Sequence, residues 1–180
     1  MALEQEIKLA YPNDEAARQA VLAAGGRLVL VRRLIEDRFF DTADRRLQAA
    51  GTTLRVRRDG ALTRLTWKGP VQSGAVKSRE ELETTVGDAA ILDALLAALG
   101  YEPVFRAEKF REEYTLDRAV VTVDETPAGV YVEIEGFPDT IARIAARLGR
   151  AAADYQLQSY PTLWRRWCQD RGLGTCDMVF

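Results

Sequence analysis

Two pairs of glutamates, each with one residue between its members, stand near opposite ends of this chain of 180 residues: Glu4 with Glu6, and Glu133 with Glu135. Alternate residues of an extended backbone point to the same side, so each pair presents two carboxylates together. The same spacing aligns Lys8 with Glu4 and Glu6, and Arg55 with Arg57. It also aligns Arg64, Thr66 and Lys68; Lys77, Arg79, Glu81 and Glu83; Lys109, Arg111 and Glu113; and Thr122 with Asp124. Carboxylate-only clusters suit hard divalent cations such as Mg²⁺ or Mn²⁺. Rows of Arg and Lys suit a polyanion, which Arg grips through two donors at once and Lys meets as a point charge. A metal-bound oligophosphate satisfies both requirements.

Composition narrows the chemistry further. The chain has no histidine, which removes Ser-His-Asp and Cys-His catalysis and any His-ligated metal. Lys plus Arg (25) nearly balances Asp plus Glu (27), so no overall basic field argues for a nucleic-acid partner. The "RRWCQDR" stretch near the end reads as the solvated face of a terminal helix. Cys168 and Cys176 lack ligand-like spacing and read as two reduced thiols. No apolar run reaches the length of a membrane span, and the charged opening is unlike a signal peptide, so a cytoplasmic location is expected. Gly25-Gly26 and Gly69-Pro70 make no phosphate-binding P-loop.

The elements that must position these rows can be read in order. "LEQEIKL" is a strand, "NDEAARQAVLAAGG" a helix with its start and stop signals, and "RLVLVRRLIEDRFFD" a long strand followed by a polar connection. Two extended runs joined at Asp59-Gly60 form a hairpin. "VKSREELETTV" alternates again, and "GDAAILDALLAALG" is a second helix. Three more strands follow, with turns at Asp117-Arg118 and at Pro127-Ala128-Gly129. "DTIARIAARLG" and "SYPTLWRRWCQD" close the chain as helices. The expectation is a single domain over residues 1–180, of α+β class, with eight mainly antiparallel strands and three or four helices.

Seven of the eight strands carry charge on one parity and apolar residues on the other. Helices bring apolar surface that must cover hydrophobic strand faces. One arrangement satisfies both: a closed barrel turned inside out, with apolar residues outward beneath helices and charges around a wet bore. Closure also removes exposed strand edges. The rows could instead pair only with one another as cross-strand ion pairs. Two like charges about 4 Å apart repel by roughly 4 kcal/mol at an effective dielectric of about 20, so four clustered glutamates call for a compensating cation. Trp67, on the opposite parity to Lys68, is expected outside the bore beneath a helix.

The motifs also resemble a known family, the CYTH domain or triphosphate tunnel metalloenzymes. Glu4-Gln5-Glu6-Ile7-Lys8 is similar to its ExExK signature. "DRFFDT", "LRVRR", "LTWKGP", "SREELE", "EKFREEY", "VDETPAGVYVEIEG" and "SYPTLW" match in order, from about residue 2 to 165. The resemblance implies an eight-stranded antiparallel tunnel that processes triphosphates with Mg²⁺ or Mn²⁺. It places Glu4, Glu6, Glu133 and Glu135 around the metal, with Glu81 and Glu83 as further ligands. It assigns Lys8, Arg55, Arg57, Lys68, Arg79, Lys109 and Arg111 to the phosphate chain, and gives Asp124 an orienting role. Glu4, Glu6 and Lys8 are the expected catalytic residues.

The activity so implied is hydrolysis of inorganic triphosphate or a related organic triphosphate. A class IV adenylate cyclase is the alternative on the same scaffold. Cyclases of this class resemble one another in an N-terminal His-Phe motif that this chain lacks, although "ETPAGVYVEIEG" and "SYPTLW" are similar to bacterial proteins grouped with them. A non-catalytic polyphosphate or nucleotide binder is a third reading. The expected partners are the triphosphate itself, with no nucleic acid and no membrane; the protein is expected to be a monomer or a homodimer.

Overall fold

The computed structural model describes residues 2–174 and 176–180. Its strands are β1 (Ala2–Tyr11), β2 (Arg27–Thr42), β3 (Thr53–Asp59), β4 (Leu62–Lys68), β5 (Lys77–Val86), β6 (Tyr101–Leu116), β7 (Ala119–Thr126) and β8 (Gly129–Glu135). They close into a barrel in the order β1-β5-β4-β3-β2-β6-β7-β8, and β8 returns to β1. Every neighbouring pair is antiparallel. The helices are α1 (Asp14–Ala23), α2 (Arg46–Ala49), α3 (Ala89–Ala98), α4 (Pro138–Arg147) and α5 (Tyr160–Gln169).

Local chemistry sets the element ends. The Asn13 side chain accepts from the Ala16 N–H at 2.8 Å, and Asp88 accepts from Ala90 and Ile91, each satisfying donors that the first helical turn leaves free. Asp117 and Arg118 both adopt left-handed backbone (φ 49° and 65°), the twist that a two-residue hairpin between β6 and β7 requires. The polar connection after β2 contains the single helical turn α2. The Asp41 carboxylate pins it by accepting from the Leu47 and Gln48 N–H groups at 2.9 and 3.0 Å.

The barrel is inside out. Ile7 and Leu9 of β1, Val121 and Val123 of β7, and Val132 and Ile134 of β8 all face outward and are buried beneath α1 and α4, against Val21, Ile141 and Ile144. Phe40, Leu54, Val56 and Leu65 lie beneath Leu92 and Leu96 of α3. At one mouth a third cluster joins Ala107, Trp164, Cys168 and Met178, where α5 and the last residues close over the wall. The chain end is tied there by Glu108 N–H to Met178 C=O (2.7 Å) and Met178 N–H to Arg106 C=O (2.9 Å). Trp67 does lie outside the bore, but half-buried in the cross-strand row Leu54-Trp67-Leu82 and not in the helix-covered clusters. Among the described residues, no helix is long and apolar enough to cross a membrane.

Because the outer faces supply the apolar core, a truncation there should cost as much as one in an ordinary interior. Ile134→Ala is expected to lower unfolding free energy by about 2–5 kcal/mol in urea titrations. A loss below about 1 kcal/mol would mean that α1 and α4 do not seal this wall.

Candidate active site

The bore and its α2/α5 mouth enclose a cavity of about 990 Å³. Register explains who meets whom inside it. β1 pairs Glu4 with Arg79 and Glu6 with Lys77 across to β5, and Glu6 with Glu135 and Lys8 with Glu133 across to β8. β4 sets Lys68 opposite Glu81, and β6 sets Arg111 opposite Asp124. Of the residues to which the resemblance gives a role, all but Asp124 line this cavity: Glu4, Glu6, Lys8, Arg55, Arg57, Lys68, Arg79, Glu81, Glu83, Lys109, Arg111, Glu133 and Glu135. Asp124 is fully buried directly behind Lys109 and Arg111.

The charges form one connected lattice. Lys68 Nζ bridges Glu4 at 2.6 Å and Glu81 at 2.5 Å. Lys8 Nζ bridges Glu6 at 2.9 Å and Glu133 at 3.0 Å, and Lys77 adds a second ammonium on Glu6 at 2.5 Å. Arg111 holds Asp124 through two bonds of 2.6 Å and reaches Glu133 at 2.9 Å. Lys109 and the Tyr160 hydroxyl also donate to Asp124, at 2.9 and 2.7 Å. Arg55 donates to Thr66 at 3.1 Å and stands 3.5 Å from Glu83, at the more exposed end of the row.

Ionisation follows from this placement. Burial and neighbouring Glu133 push Glu6 upward, yet Lys8, Lys77 and Lys68 outweigh them and hold it at about 2. Burial also opposes the charge on Glu133, but Lys8, Arg111 and Lys109 keep it well below the ordinary range. Lys109 shows the reverse balance: burial, Arg111 and Arg57 outweigh Asp124 and bring it down to about 7. Burial, then Glu4, Glu133, Glu6 and Glu81, raise Glu135 to about 7. Glu4 is raised too, by burial and by Glu6, against the pull of Lys68.

Three functional-site residues carry no role in the sequence reading. Asp37 on β2 holds Arg57 through two bonds of 2.7 Å, so the eighth strand carries an inward charge as well. Its parity is obscured because β2 has register shifts at Leu28/Leu30 and Leu30/Arg33, which reset the alternation. Lys77 lies on the charged row and contacts Glu6. Tyr160 enters the bore from α5, its ring 5.1 Å from Lys8 Nζ and 4.7 Å from Lys109 Nζ. The "DRFFDT" and "SYPTLW" matches contain Asp37 and Tyr160 and were the available signal.

The donor set suits a hard cation. Glu135 is the one acid among the six with no salt bridge among the described residues, and burial followed by neighbouring acids raises both it and Glu4, in the latter against the pull of Lys68. All-oxygen carboxylate ligation fits Mg²⁺ or Mn²⁺. Among the described residues, however, no three acids stand ready as a closed ligand set, because ammonium and guanidinium groups hold Glu4, Glu6, Glu81 and Glu133. A cation would bind by displacing such contacts.

A closed antiparallel barrel with a two-sign charged bore and an apolar, helix-covered exterior defines a tunnel protein. The chain belongs to the CYTH domain family, whose model matches residues 2–149. Members of that family are metal-dependent enzymes that take triphosphate substrates. A protein of Methanocaldococcus jannaschii named as a candidate adenylate cyclase is 25% identical over 134 residues, 74% of this chain and 76% of its own. A solved Vibrio parahaemolyticus protein, also named as a candidate adenylate cyclase, superposes with a TM-score of 0.78 at 20% identity, covering 91% of this chain and 98% of that one. A solved Hippeastrum protein is described as a candidate adenylyl cyclase with a dominant triphosphatase activity. It superposes with a TM-score of 0.65 at 18% identity, covering 97% and 98%.

Glu135 generates a pH test. Its folded value of about 7 lies above the ordinary glutamate value of 4.5, so the folded state binds the extra proton. The stability this contributes is fully present below 4.5 and is lost as pH rises through 7. Without divalent metal, Glu135→Gln is therefore expected to match wild type in melting temperature near the lower value and to exceed it above the upper one. Equal melting temperatures across this window would show that burial and the neighbouring acids do not raise Glu135 there. Water at the Glu135 side chain screens part of the effect.

Proposed function

We propose that the protein is a Mg²⁺- or Mn²⁺-dependent hydrolase that cleaves the terminal phosphoanhydride of inorganic triphosphate or a related organic triphosphate in this tunnel. The observation that carries the reading is Arg79. The residue is 6% exposed, yet it has no salt bridge among the described residues, its Nε has no acceptor, and its one side-chain hydrogen bond is a long 3.4 Å contact to Thr53. Arg55 Nε likewise lacks an acceptor. Burying guanidinium donors without acceptors is costly, and an anionic ligand removes that cost. The acid-rich side of Glu4, Glu81 and Glu135 faces the same space.

In this reading Glu4, Glu6, Glu81, Glu83, Glu133 and Glu135 are the residues that would hold divalent metal. A bound cation neutralises phosphate oxygens and makes a coordinated water more acidic. Lys8, Arg55, Arg57, Lys68, Arg79, Lys109 and Arg111 bind the phosphate chain and stabilise charge on the leaving phosphate. Asp124 orients Lys109 and Arg111, and Asp37 does the same for Arg57. Glu6, held ionised at about 2, stays anionic over the whole working pH range. Glu4 and Glu6, with Lys8 between Glu6 and Glu133, form the catalytic end.

One observation favours cyclisation of ATP as a second reading. Phe39 and Phe105, with ring centroids 5.7 Å apart, give the mouth beside α5 an apolar wall that an organic group could meet. The M. jannaschii relative is named accordingly. Incubation with tripolyphosphate, ATP and thiamine triphosphate, with and without Mg²⁺ or Mn²⁺, separates the alternatives. Metal-dependent orthophosphate release is the expected result. Cyclic AMP with pyrophosphate would establish the cyclase, and retention without product would leave a binder.

Three variants test the assignments inside that assay. Glu4→Gln and Glu133→Gln are each expected to lower turnover by at least about 100-fold while the circular dichroism spectrum is kept. Arg79→Leu should cut kcat/KM by about 100-fold without loss of thermal stability, because it removes a buried donor that nothing in the free protein satisfies. Wild-type rates in the glutamate variants would refute the ligand assignment, and an unchanged Arg79→Leu would refute the anion site.

A further inference from the structure

Helix α3 has no business on a protein surface as it stands. Between Ala89 and Leu99 every residue is Ala, Ile or Leu except Asp93, and Asp93 is spent on its own chain, where both carboxylate oxygens take bonds of 2.8 Å from Arg38. Only Leu92 and Leu96 are buried beneath it. Ile91, Leu95 and Leu99 remain 60, 55 and 70% exposed, spaced four residues apart along one ridge. A helix that is apolar all round belongs in an interior.

The order of sizes says what completes that interior. Each exposed large residue is preceded by an exposed alanine: Ala90 before Ile91, Ala94 before Leu95, Ala98 before Leu99. Laid antiparallel against a copy of itself about a two-fold axis between residues 94 and 95, the helix puts Ile91 opposite the second copy's Ala98. Leu95 then meets Ala94, and Leu99 meets Ala90. Every large side chain faces a small one, so ridges enter grooves in the i, i+4 mode of helix packing. A parallel alignment in register would set large against large. The face also bears no net charge to repel its twin, which an isologous contact requires.

Neighbouring surface widens the contact. The row Leu54-Trp67-Leu82 starts beneath α3, where Leu54 packs, and runs outward through the half-buried Trp67 to Leu82, itself 48% exposed. We propose that α3 is the core of a symmetric homodimer, formed by antiparallel α3–α3 packing and flanked by this row. The tunnel does not contribute to this contact.

Size-exclusion chromatography with light scattering tests it. Wild type at about 200 µM should show a mass near twice 20.1 kDa, falling towards the monomer on dilution. Leu95→Glu, an exposed substitution in the free chain, should stay folded by circular dichroism and remain monomeric. Leu99→Lys and Ala90→Glu should each be monomeric alone and form a mixed dimer on mixing, since residue 99 of one copy meets residue 90 of the other. A monomeric wild type would overturn the proposal and leave the face to a different protein. A dimer that survives Leu95→Glu would overturn it as well, and failure of the mixed pair to associate would overturn the antiparallel register.

Discussion

The structure depends on taking many charges out of water at once without leaving any single sign uncompensated. A closed barrel forces its inward residues within a few ångströms of one another, where like charges repel by several kcal/mol and opposite ones attract comparably. Here the solution is shared ligands. Lys68 serves Glu4 and Glu81, Lys8 serves Glu6 and Glu133, and Arg111 serves Asp124 and Glu133. Such bridges are poor evidence of stability in themselves. They keep the bore polar and open while the fold draws its stability from the other side of the wall.

The compensation is uneven, and the unevenness is informative. Around Glu133 and Asp124 the cations prevail and the acids are held ionised. Around Glu135 the acids prevail, and around Lys109 and Arg55 the cations crowd one another. Arg79 has no acid in contact among the described residues. A site with surplus acid and surplus base at different places is matched by a ligand carrying both signs, a cation together with an oligophosphate. That match underlies the proposed hydrolysis and would equally serve a nucleotide.

Much of the fold was legible because its signal is local. Period-two alternation marked the strands, and the opposed parities of Leu54 and Arg55 or of Ile134 and Glu135 implied a barrel with its apolar face outward. Asn13 and Asp88 announced their helices, and Asp59-Gly60 its turn. The reading weakened where backbone irregularity broke the period. Bulges in β2 hid Asp37, and the helical turn in the connection after Thr42 depends on a carboxylate, Asp41, reaching residues six and seven positions on. The parity of Trp67 puts it outside the bore, but which outer residues lie beneath a helix depends on where each helix docks.

By itself, then, the sequence determined which side chains share a face, which chemistries are impossible without histidine, and the family to which the motifs point. Those are properties of neighbours along the chain. Only the tertiary structure decided that Lys68 stands between Glu4 and Glu81, that Tyr160 comes back from α5 to meet Asp124, and that Arg79 is left without an acid. These depend on strand order and register, which join residues tens of positions apart, and the pKa of each group is set by the neighbours that closure brings to it.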